Sequence, residues 1–231
     1  MTQAARKIRL LMELRRNGIG DTAVLRAIEQ VPREAFVPEP FLDQAYENRA
    51  LPIERGQTLS QPQVVALMTQ ALEPAGVVKI LEVGTGSGYQ TAVLSRLCRR
   101  VFSIERYREL SDDAQQRILS LKLHNVVLRV GDGWNGWPEQ APFPRIIVTA
   151  APPDVPGALV DQLAEGGVLV IPVGRRSREQ ELLRLRRDKG RVCEEILGRV
   201  RFVPLVSGLP AEESNVRAGS RPSGPERRSS A

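Results

Sequence analysis

A glycine-rich segment at residues 82–88 is the part of the chain whose residue types and spacing most clearly indicate chemistry. An apolar run, residues 77–83, leads into this segment and an amphipathic stretch follows it, which predicts a strand, a turn and a helix. Gly84, Gly86 and Gly88 would let the backbone turn sharply and approach a ligand closely. This order of elements is typical of units that bind nucleosides, although a tight turn without a ligand has the same pattern.

The residues around these glycines favour one nucleoside over others. A dinucleotide fingerprint would place a glycine at Tyr89, and a P-loop would need a Lys-Ser or Lys-Thr pair, which is absent. Glu105 ends the next predicted strand, where a carboxylate can accept both ribose hydroxyls. S-adenosyl-L-methionine combines a ribose and a cationic amino-acid part with no phosphate, so it is the predicted cofactor. The predicted cofactor-binding residues are Glu82, Gly84, Thr85, Gly86, Ser87, Gly88, Glu105, Asp132 and Gly133.

A polar segment that precedes the glycine loop supplies a candidate catalytic side chain, Ser60. Pro62 suits the first position of a helix that continues through Val65 and Met68, since proline has no N–H to lose there. Ser60 and Gln61 then lie at the helix N-terminus, where free N–H groups and the helix dipole favour an anion. The Ser60 hydroxyl can donate to a substrate carboxylate; the alternative is that it only caps the helix.

The elements that must position these groups alternate between strand and helix. Their apolar runs lack two-residue alternation, which predicts a parallel sheet covered on both faces. The predicted strands are residues 77–83, 100–105, 126–130, 145–149 and 167–172, and the predicted helices between them are residues 89–97, 110–123 and 156–164.

Different patterns flank this alternating region. Helical spacing at residues 4–16 and a good N-cap at Asp21 predict a small helical cap, and antiparallel strands are predicted on either side of a turn at residues 188–190. The predicted fold is α/β: a Rossmann-like, doubly wound, mostly parallel sheet with helices on both faces, an N-terminal helical cap and C-terminal antiparallel strands. Residues 1–208 are predicted to form one methyltransferase domain, with residues 1–60 as cap and active-site loop and 61–208 as core; residues 209–231 are predicted to be a disordered tail.

Composition excludes several other classes of chemistry. A single histidine and two cysteines distant in sequence argue against metal sites, Ser-His catalysis and disulfides. No apolar run is long enough for a membrane span, so a cytoplasmic protein without membrane contact is predicted. Residues 175–191 hold eight basic and three acidic residues, most of the net charge of +6. No aromatic side chain interleaves with this run as a stacking platform for bases would require, so nucleic-acid binding is not expected. A monomer is predicted.

Several blocks together resemble one family, the protein-L-isoaspartate O-methyltransferases. The likeness covers residues 5–205 and depends most on the polar segment around Ser60 and on the small-residue turn at Thr149. Its blocks are residues 31–38, 56–62, 81–90, 131–134 and 146–152.

This resemblance implies a substrate and a reaction. Such enzymes methylate the α-carboxyl of L-isoaspartyl residues in damaged proteins and peptides, and the ester then closes to a succinimide that hydrolyses in part to normal aspartate. The resemblance implies Ser60 as the catalytic residue. The predicted substrate-binding residues are Thr58, Gln61, Thr149, Ala150 and Ala151.

Two departures from the family pattern and two alternative functions stay open in the sequence. Pro144 stands where the family has an aspartate, which predicts weaker cofactor binding if that acid shapes the pocket, and Val206 stands where a polar residue is expected.

The alternative functions are a Rossmann-like methyltransferase for a small molecule or RNA, and a nicotinamide-dependent oxidoreductase or binding module.

Overall fold

The computed structural model describes residues 2–175 and 179–211, and its elements follow the predicted alternation. The α-helices are Gln3–Arg16 (α1), Thr22–Gln30 (α2), Pro62–Leu72 (α3), Tyr89–Ser95 (α4), Arg108–Ser120 (α5) and Gly157–Asp161 (α6). The strands are Leu51–Pro52 (β1), Thr58–Leu59 (β2), Lys79–Val83 (β3), Arg100–Glu105 (β4), Val126–Val130 (β5), Phe143–Val148 (β6), Leu163–Val173 (β7), Gln180–Asp188 (β8) and Arg191–Val200 (β9).

Seven strands form one sheet in the order β5-β4-β3-β6-β7-β8-β9. Strands β3 to β7 run parallel to one another, whereas β8 pairs antiparallel with both β7 and β9. This topology confirms the predicted fold class, including the antiparallel strands at the C-terminal side. Because the carboxyl ends of parallel strands meet at one edge, the loops after β3, β4, β5 and β6 come together there.

The central strands are buried on both faces, which explains their unbroken apolar runs. Leu81 and Val83 contribute to a cluster that includes Leu159 of α6. Ile80 contributes to a separate cluster with Met68 of α3. Alternate residues of one strand therefore bury two opposite faces, as in other parallel sheets that helices cover on both sides.

The predicted N-terminal cap is formed by α1 and α2. Leu14, Val24 and Ile28 are buried in a cluster that also contains Val65 of α3 and Val93 of α4. Asp21 Oδ1 accepts hydrogen bonds from the N–H groups of Ala23 at 2.8 Å and Val24 at 3.2 Å, which confirms this residue as the N-cap.

Some predicted element ends were wrong. The helix predicted at residues 156–164 is only Gly157–Asp161, because Leu163 already pairs with Phe143 in the sheet. β6 begins at Phe143, and its register with β7 is irregular around Pro144, which cannot donate a ladder hydrogen bond. The turn between β8 and β9 is confirmed, with positive φ at Lys189 and Gly190.

The predicted tail at residues 209–231 lies outside the described residues, apart from residues 209–211. A single domain at residues 1–208 stays a prediction. In the described ranges no helix has both the length and the apolar character that crossing a membrane requires.

Candidate active site

A cavity lies at the carboxyl edge of the parallel strands, between the glycine loop and the segment that holds Ser60. Most of the residues predicted from the sequence line it: Thr58, Ser60, Gly84, Thr85, Gly86, Ser87, Glu105, Gly133, Thr149 and Ala150. The other predicted residues lie close in sequence but are not part of its wall: Gln61, Glu82, Gly88, Asp132 and Ala151. The tertiary structure thus joins the predicted cofactor half and the predicted acceptor half in one space.

The first glycine of the loop is fixed by Thr149, the residue that follows β6. Thr149 Oγ1 donates a hydrogen bond to the Gly84 carbonyl at 2.6 Å. Gly84 has a φ of 98°, and a Cβ atom there would lie 2.3 Å from Thr149 Oγ1. Only glycine fits this backbone conformation and this close approach. Thr149 therefore lines the cavity, but its hydroxyl donates its hydrogen bond to the glycine loop.

Glu105 is held at the end of β4 by three backbone donors. Its Oε2 accepts from the Gly86 N–H at 2.8 Å, and its Oε1 accepts from the N–H groups of Arg106 at 2.8 Å and Tyr107 at 3.1 Å. Burial raises the pKa of Glu105, and these backbone N–H groups act in the opposite direction. A carboxylate oxygen has two lone pairs, so Glu105 can accept further donors from a ligand in the cavity.

Glu82 lies beneath the cavity and is fully buried. Its Oε2 accepts hydrogen bonds from the hydroxyls of Ser103, at 2.6 Å, and Thr91. Ser103 Oγ is also 2.6 Å from Thr85 Oγ1, which connects Glu82 to the glycine loop. Burial raises the pKa of Glu82 to about 8, although the two hydroxyls lower it. The predicted contact between Glu82 and the cofactor therefore has no support in this geometry, which instead makes Glu82 a support for the loop.

Ser60 stands between β2 and α3 and lines the same cavity as the glycine loop. Pro62 begins α3 as predicted, and the N-cap residue is Gln61, which makes no side-chain cap hydrogen bond. Within the described part of the chain, the Ser60 hydroxyl makes no hydrogen bond to another residue. The capping alternative for Ser60 is therefore wrong, and its hydroxyl is left for a ligand.

Asn48 satisfies polar groups at the start of α3 that were predicted to be free for an anion. Asn48 Oδ1 accepts from the Gln63 N–H at 3.0 Å, and its carbonyl accepts from Gln61 Nε2 at 2.9 Å. The N–H groups of Val64 and Val65 donate to the Gln61 carbonyl. The expectation of free N–H groups within the helix was wrong. The Gln61 amide donates one hydrogen bond within the protein, and its contact with substrate stays a prediction.

The small-residue turn after β6 holds the segment at residues 203–206 against the cavity. Ala151 N–H donates to the Val203 carbonyl at 2.8 Å, and Leu205 N–H donates to the Ala151 carbonyl at 2.9 Å. Ala150 lines the cavity, whereas Ala151 serves this pairing. All four residues of the segment line the cavity, including Val206, which replaces the expected polar residue with an apolar one.

The two cofactor-binding residues predicted after β5, Asp132 and Gly133, have different roles in the structure. Gly133 lines the cavity, and a Cβ atom there would lie 2.4 Å from Val83 Cγ1. Asp132 accepts hydrogen bonds from the N–H groups of Trp134 at 2.9 Å and Gly208 at 2.8 Å. Asp132 therefore fixes the loop and the C-terminal segment that together close this side of the cavity.

Comparison with known protein families identifies the arrangement. Residues 5–210 match the family model described as Protein-L-isoaspartate(D-aspartate) O-methyltransferase. The chain belongs to this protein-L-isoaspartate O-methyltransferase family. It is 61% identical over 216 residues to the protein-L-isoaspartate O-methyltransferase of Rhodospirillum rubrum, covering 93% of this chain and 99% of the relative. It is 57% identical to the Rhodospirillum centenum protein of the same name, covering 95% of this chain and 100% of that relative.

Solved structures extend the likeness from sequence to fold. One protein-L-isoaspartate O-methyltransferase matches 92% of this chain and 69% of its own, with a TM-score of 0.80 and 28% identity. A Plasmodium falciparum protein assigned to the family, solved with S-adenosyl-L-homocysteine, matches 87% of this chain and 98% of its own, with a TM-score of 0.74 and 27% identity. Family membership removes the nicotinamide-dependent oxidoreductase from the alternatives.

In this family member, three further residues at the site were not assigned a role from the sequence. Gln90 lines the cavity, and its Oε1 is buried without a hydrogen-bond donor among the described residues. Tyr89, the first residue of α4, also lines the cavity, and the buried side chain of Arg33 lies against its ring. Arg33, Tyr89 and Gln90 all lie in blocks that resemble the family. Those blocks marked their positions in the sequence but did not indicate their contacts.

Pro144 does not reach the cavity of this family member. It is the second residue of β6 and so lies at the opposite end of that strand from Thr149. The expected loss of cofactor affinity through Pro144 therefore lacks a direct route in the structure. Within the described residues, no group of three or more His, Cys, Asp or Glu side chains is placed to hold a metal ion.

Proposed function

We propose that this chain transfers the methyl group of S-adenosyl-L-methionine to the α-carboxylate of L-isoaspartyl residues in damaged proteins and peptides. The observation that carries this proposal is the single cavity shared by the Ser60 segment, the glycine loop and Glu105. Membership of the isoaspartyl methyltransferase family supports the substrate, and the lining of the cavity supports a cofactor half and an acceptor half of one site.

The cofactor half fits S-adenosyl-L-methionine by shape and by charge. Gly84 and Gly86 line the cavity with positive φ angles, so backbone without side chains forms this part of the wall and a ligand can approach it closely. Glu105 offers carboxylate lone pairs to ribose hydroxyls from a fixed position. Its buried negative charge also suits a ligand with cationic groups. When bound, S-adenosyl-L-methionine supplies a methyl group on a positively charged sulfur.

The acceptor half needs no strong base. A carboxylate with an ordinary pKa of about 4 is already ionised at neutral pH, so it can act as the nucleophile directly. The only histidine, His124, is exposed between α5 and β5 and does not line the cavity. The Ser60 hydroxyl would donate to one carboxylate oxygen and orient the other towards the methyl group. Alignment of the reacting atoms and exclusion of water are then the main contributions of the protein.

The acceptor pocket also suits a peptide main chain. Thr58 and Ala150 line the cavity beside Ser60. A second groove, lined in part by Thr58, Ser60 and Arg199, begins at the same segment. An extended peptide can therefore cross Ser60 with its damaged residue in the cavity. Methylation at this position would be followed by spontaneous closure to the succinimide, which is the step that begins repair.

We also propose that the chain acts in the cytoplasm as a monomer and does not bind nucleic acid. The basic segment at residues 175–191 supports the last point, because two of its arginines form ion pairs. Arg186 pairs with Glu73 at 2.6 Å, and Arg184 pairs with Glu195 and Glu73. Pairs of this kind leave less free positive charge for phosphate.

The decisive experiment uses S-adenosyl-L-methionine labelled in its methyl group and a pair of peptides that differ only in isoaspartate or aspartate at one position. We expect base-labile methyl incorporation into the isoaspartyl peptide alone, because an ester hydrolyses in base. Total RNA and a small-molecule extract serve as alternative acceptors in parallel. Incorporation into either of these but not into the isoaspartyl peptide, by protein shown to be folded, would assign a different acceptor.

A further inference from the structure

Arg33 is a fully buried arginine next to the active site. It begins the 3₁₀ turn Arg33–Phe36, which follows α2 and belongs to a block of the family resemblance that the proposed chemistry does not use. Long charged side chains are rarely buried completely unless they are paired. The complete burial of Arg33 therefore suggests that its charge has a role in the site.

The contacts of Arg33 lead to both halves of the site. One guanidinium nitrogen, Nη2, donates a hydrogen bond to the Ser60 carbonyl at 2.9 Å. The guanidinium carbon also lies 4.7 Å from the centre of the Tyr89 ring, a cation–π contact. Since Ser60 and Tyr89 both line the cavity, Arg33 lies one layer behind its wall.

The same 3₁₀ turn is fixed to the glycine loop through its last residue. Phe36 meets Tyr89 edge to face, with ring centres 5.6 Å apart. A Cβ atom at Gly88 would lie 3.5 Å from the Phe36 ring. Arg33 therefore belongs to a turn that packs against the start of α4, and its guanidinium is tied to Ser60 by a hydrogen bond.

No acidic side chain compensates this charge in the protein. Within residues 2–175 and 179–211, Arg33 forms no ion pair, and its Nε and Nη1 have no hydrogen-bond acceptor. The neighbouring acid, Glu34, accepts a hydrogen bond from the Tyr46 hydroxyl instead. Burial lowers the pKa of Arg33, while Tyr89 acts in the opposite direction. An arginine stays protonated in proteins, so the charge remains and is only partly stabilised by the Tyr89 ring.

We propose that Arg33 is a positioning residue that fixes the Ser60 segment and selects acceptors that carry a carboxylate through its uncompensated buried charge. This inference rests on the proposed function, in which the acceptor brings one negative charge into the cavity beside Ser60. An anion on one side of the wall and a buried cation on the other attract each other, and the low polarity between them strengthens the effect.

Arg106 is the other arginine to consider, because it lines the cavity itself. It follows Glu105, so its backbone belongs to the cofactor half, and its guanidinium lies 5.0 Å from the Tyr107 ring centre. Arg33 contacts the acceptor half directly through the Ser60 carbonyl. Substitutions of the two arginines are therefore expected to have separate effects. Only those of Arg33 should change the preference for a charged acceptor.

The test measures binding of two peptides to the chain saturated with S-adenosyl-L-homocysteine. One peptide carries isoaspartate with its free α-carboxylate, and the other carries the neutral α-carboxamide at the same atom. We expect the wild-type chain to bind the carboxylate at least about tenfold more tightly, as expected for a partly buried charge interaction. In Arg33→Gln, which keeps a hydrogen-bond donor but has no charge, this preference should fall to within about twofold of equal binding.

Two further variants separate charge from structure. Arg33→Lys keeps the charge and should retain most of the preference, even if turnover falls because the Ser60 segment shifts. Arg26→Gln removes an exposed arginine from α2 and should leave the preference unchanged. A preference in Arg33→Gln equal to that of the wild type would overturn the proposal. If Arg33→Gln fails to fold, a folded Arg33→Lys that has lost the preference would overturn it equally.

The wild-type methylation experiment keeps this inference separate from the proposed function. Absence of methylation of the isoaspartyl peptide by the folded wild-type chain contradicts the proposed function. Methylation of that peptide together with an undiminished carboxylate preference in Arg33→Gln contradicts only the role of Arg33.

Discussion

The carboxylate of Glu105 accepts a hydrogen bond from the backbone N–H of Gly86, with 2.8 Å between Glu105 Oε2 and the Gly86 nitrogen. This contact joins the end of β4 to the glycine loop that follows β3. The acid predicted to hold the ribose is therefore also part of the frame of the loop, so its removal is expected to affect the shape of the site as well as the ligand contact.

Glu105→Gln should weaken binding of S-adenosyl-L-homocysteine by about tenfold or more, because charge-assisted hydrogen bonds are the stronger kind and the amide NH₂ cannot accept the backbone N–H groups. Isothermal titration calorimetry measures the change. Glu109→Gln, an exposed acid in α5 that pairs with Arg55, is the matched control and should bind the ligand as the wild type does. Equal affinity in Glu105→Gln and the wild type would contradict the assignment.

Ser60→Ala should lower turnover of an isoaspartyl peptide by roughly 10- to 100-fold, the range expected for loss of a hydrogen bond to a charged group. Cofactor affinity should stay within about twofold, since the Ser60 hydroxyl belongs to the acceptor half. Steady-state kinetics at saturating cofactor and a separate titration with S-adenosyl-L-homocysteine test both parts. Ser120→Ala, on the exposed face of α5, controls for the loss of a hydroxyl. A collapse of cofactor affinity in Ser60→Ala would move this residue to the cofactor half.

Gly84→Ala should abolish cofactor binding or reduce it severely. Its Cβ would lie 2.3 Å from Thr149 Oγ1, and its φ of 98° is unfavourable for alanine. Gly76→Ala is a useful comparison, because Gly76 has a φ of 77° with open space around the position of a Cβ atom. Both variants carry backbone strain, so only the clash at the loop distinguishes them. Calorimetric titration should show near-normal affinity in Gly76→Ala; an equal loss in both would mean that strain alone is responsible.

Ionisation of Glu82 should lower the free energy of unfolding of the chain as the pH rises. Burial raises the pKa of Glu82 from its ordinary value of 4.5 to about 8, so the folded chain holds this proton where the unfolded chain releases it. The stabilisation by the neutral acid is present below pH 4.5 and is lost as the pH rises through about 8. Glu82→Gln has no such proton to lose, and thermal unfolding from pH 6 to 9 should show its Tm falling by about 5 °C less than that of the wild type. Parallel Tm curves for both chains would contradict a neutral Glu82.

The order of the elements and the chemistry of the cofactor loop could be predicted from the amino-acid sequence alone. Apolar runs without alternation identify strands buried on both faces, and glycines between a strand and a helix identify a ligand loop, because both signals depend on neighbouring residues. Glu105, predicted to bind the cofactor, lines the cavity, since the end of a parallel strand has a known position in such a fold. Whether each predicted residue binds its ligand stays a prediction.

Which side chains reach the cavity and which support it from behind depends on contacts that form in the folded chain. Glu82 was predicted as a ligand, yet it faces Ser103 and Thr91, because the alternation of β3 directs it towards α4. The Gln61 amide is used by Asn48, and a buried Arg33 lies behind Ser60. These contacts join residues that are distant along the chain, so no local pattern of sequence could reveal them. They depend on how the cap, the sheet and the C-terminal segment meet, which packing and hydrogen bonding settle together.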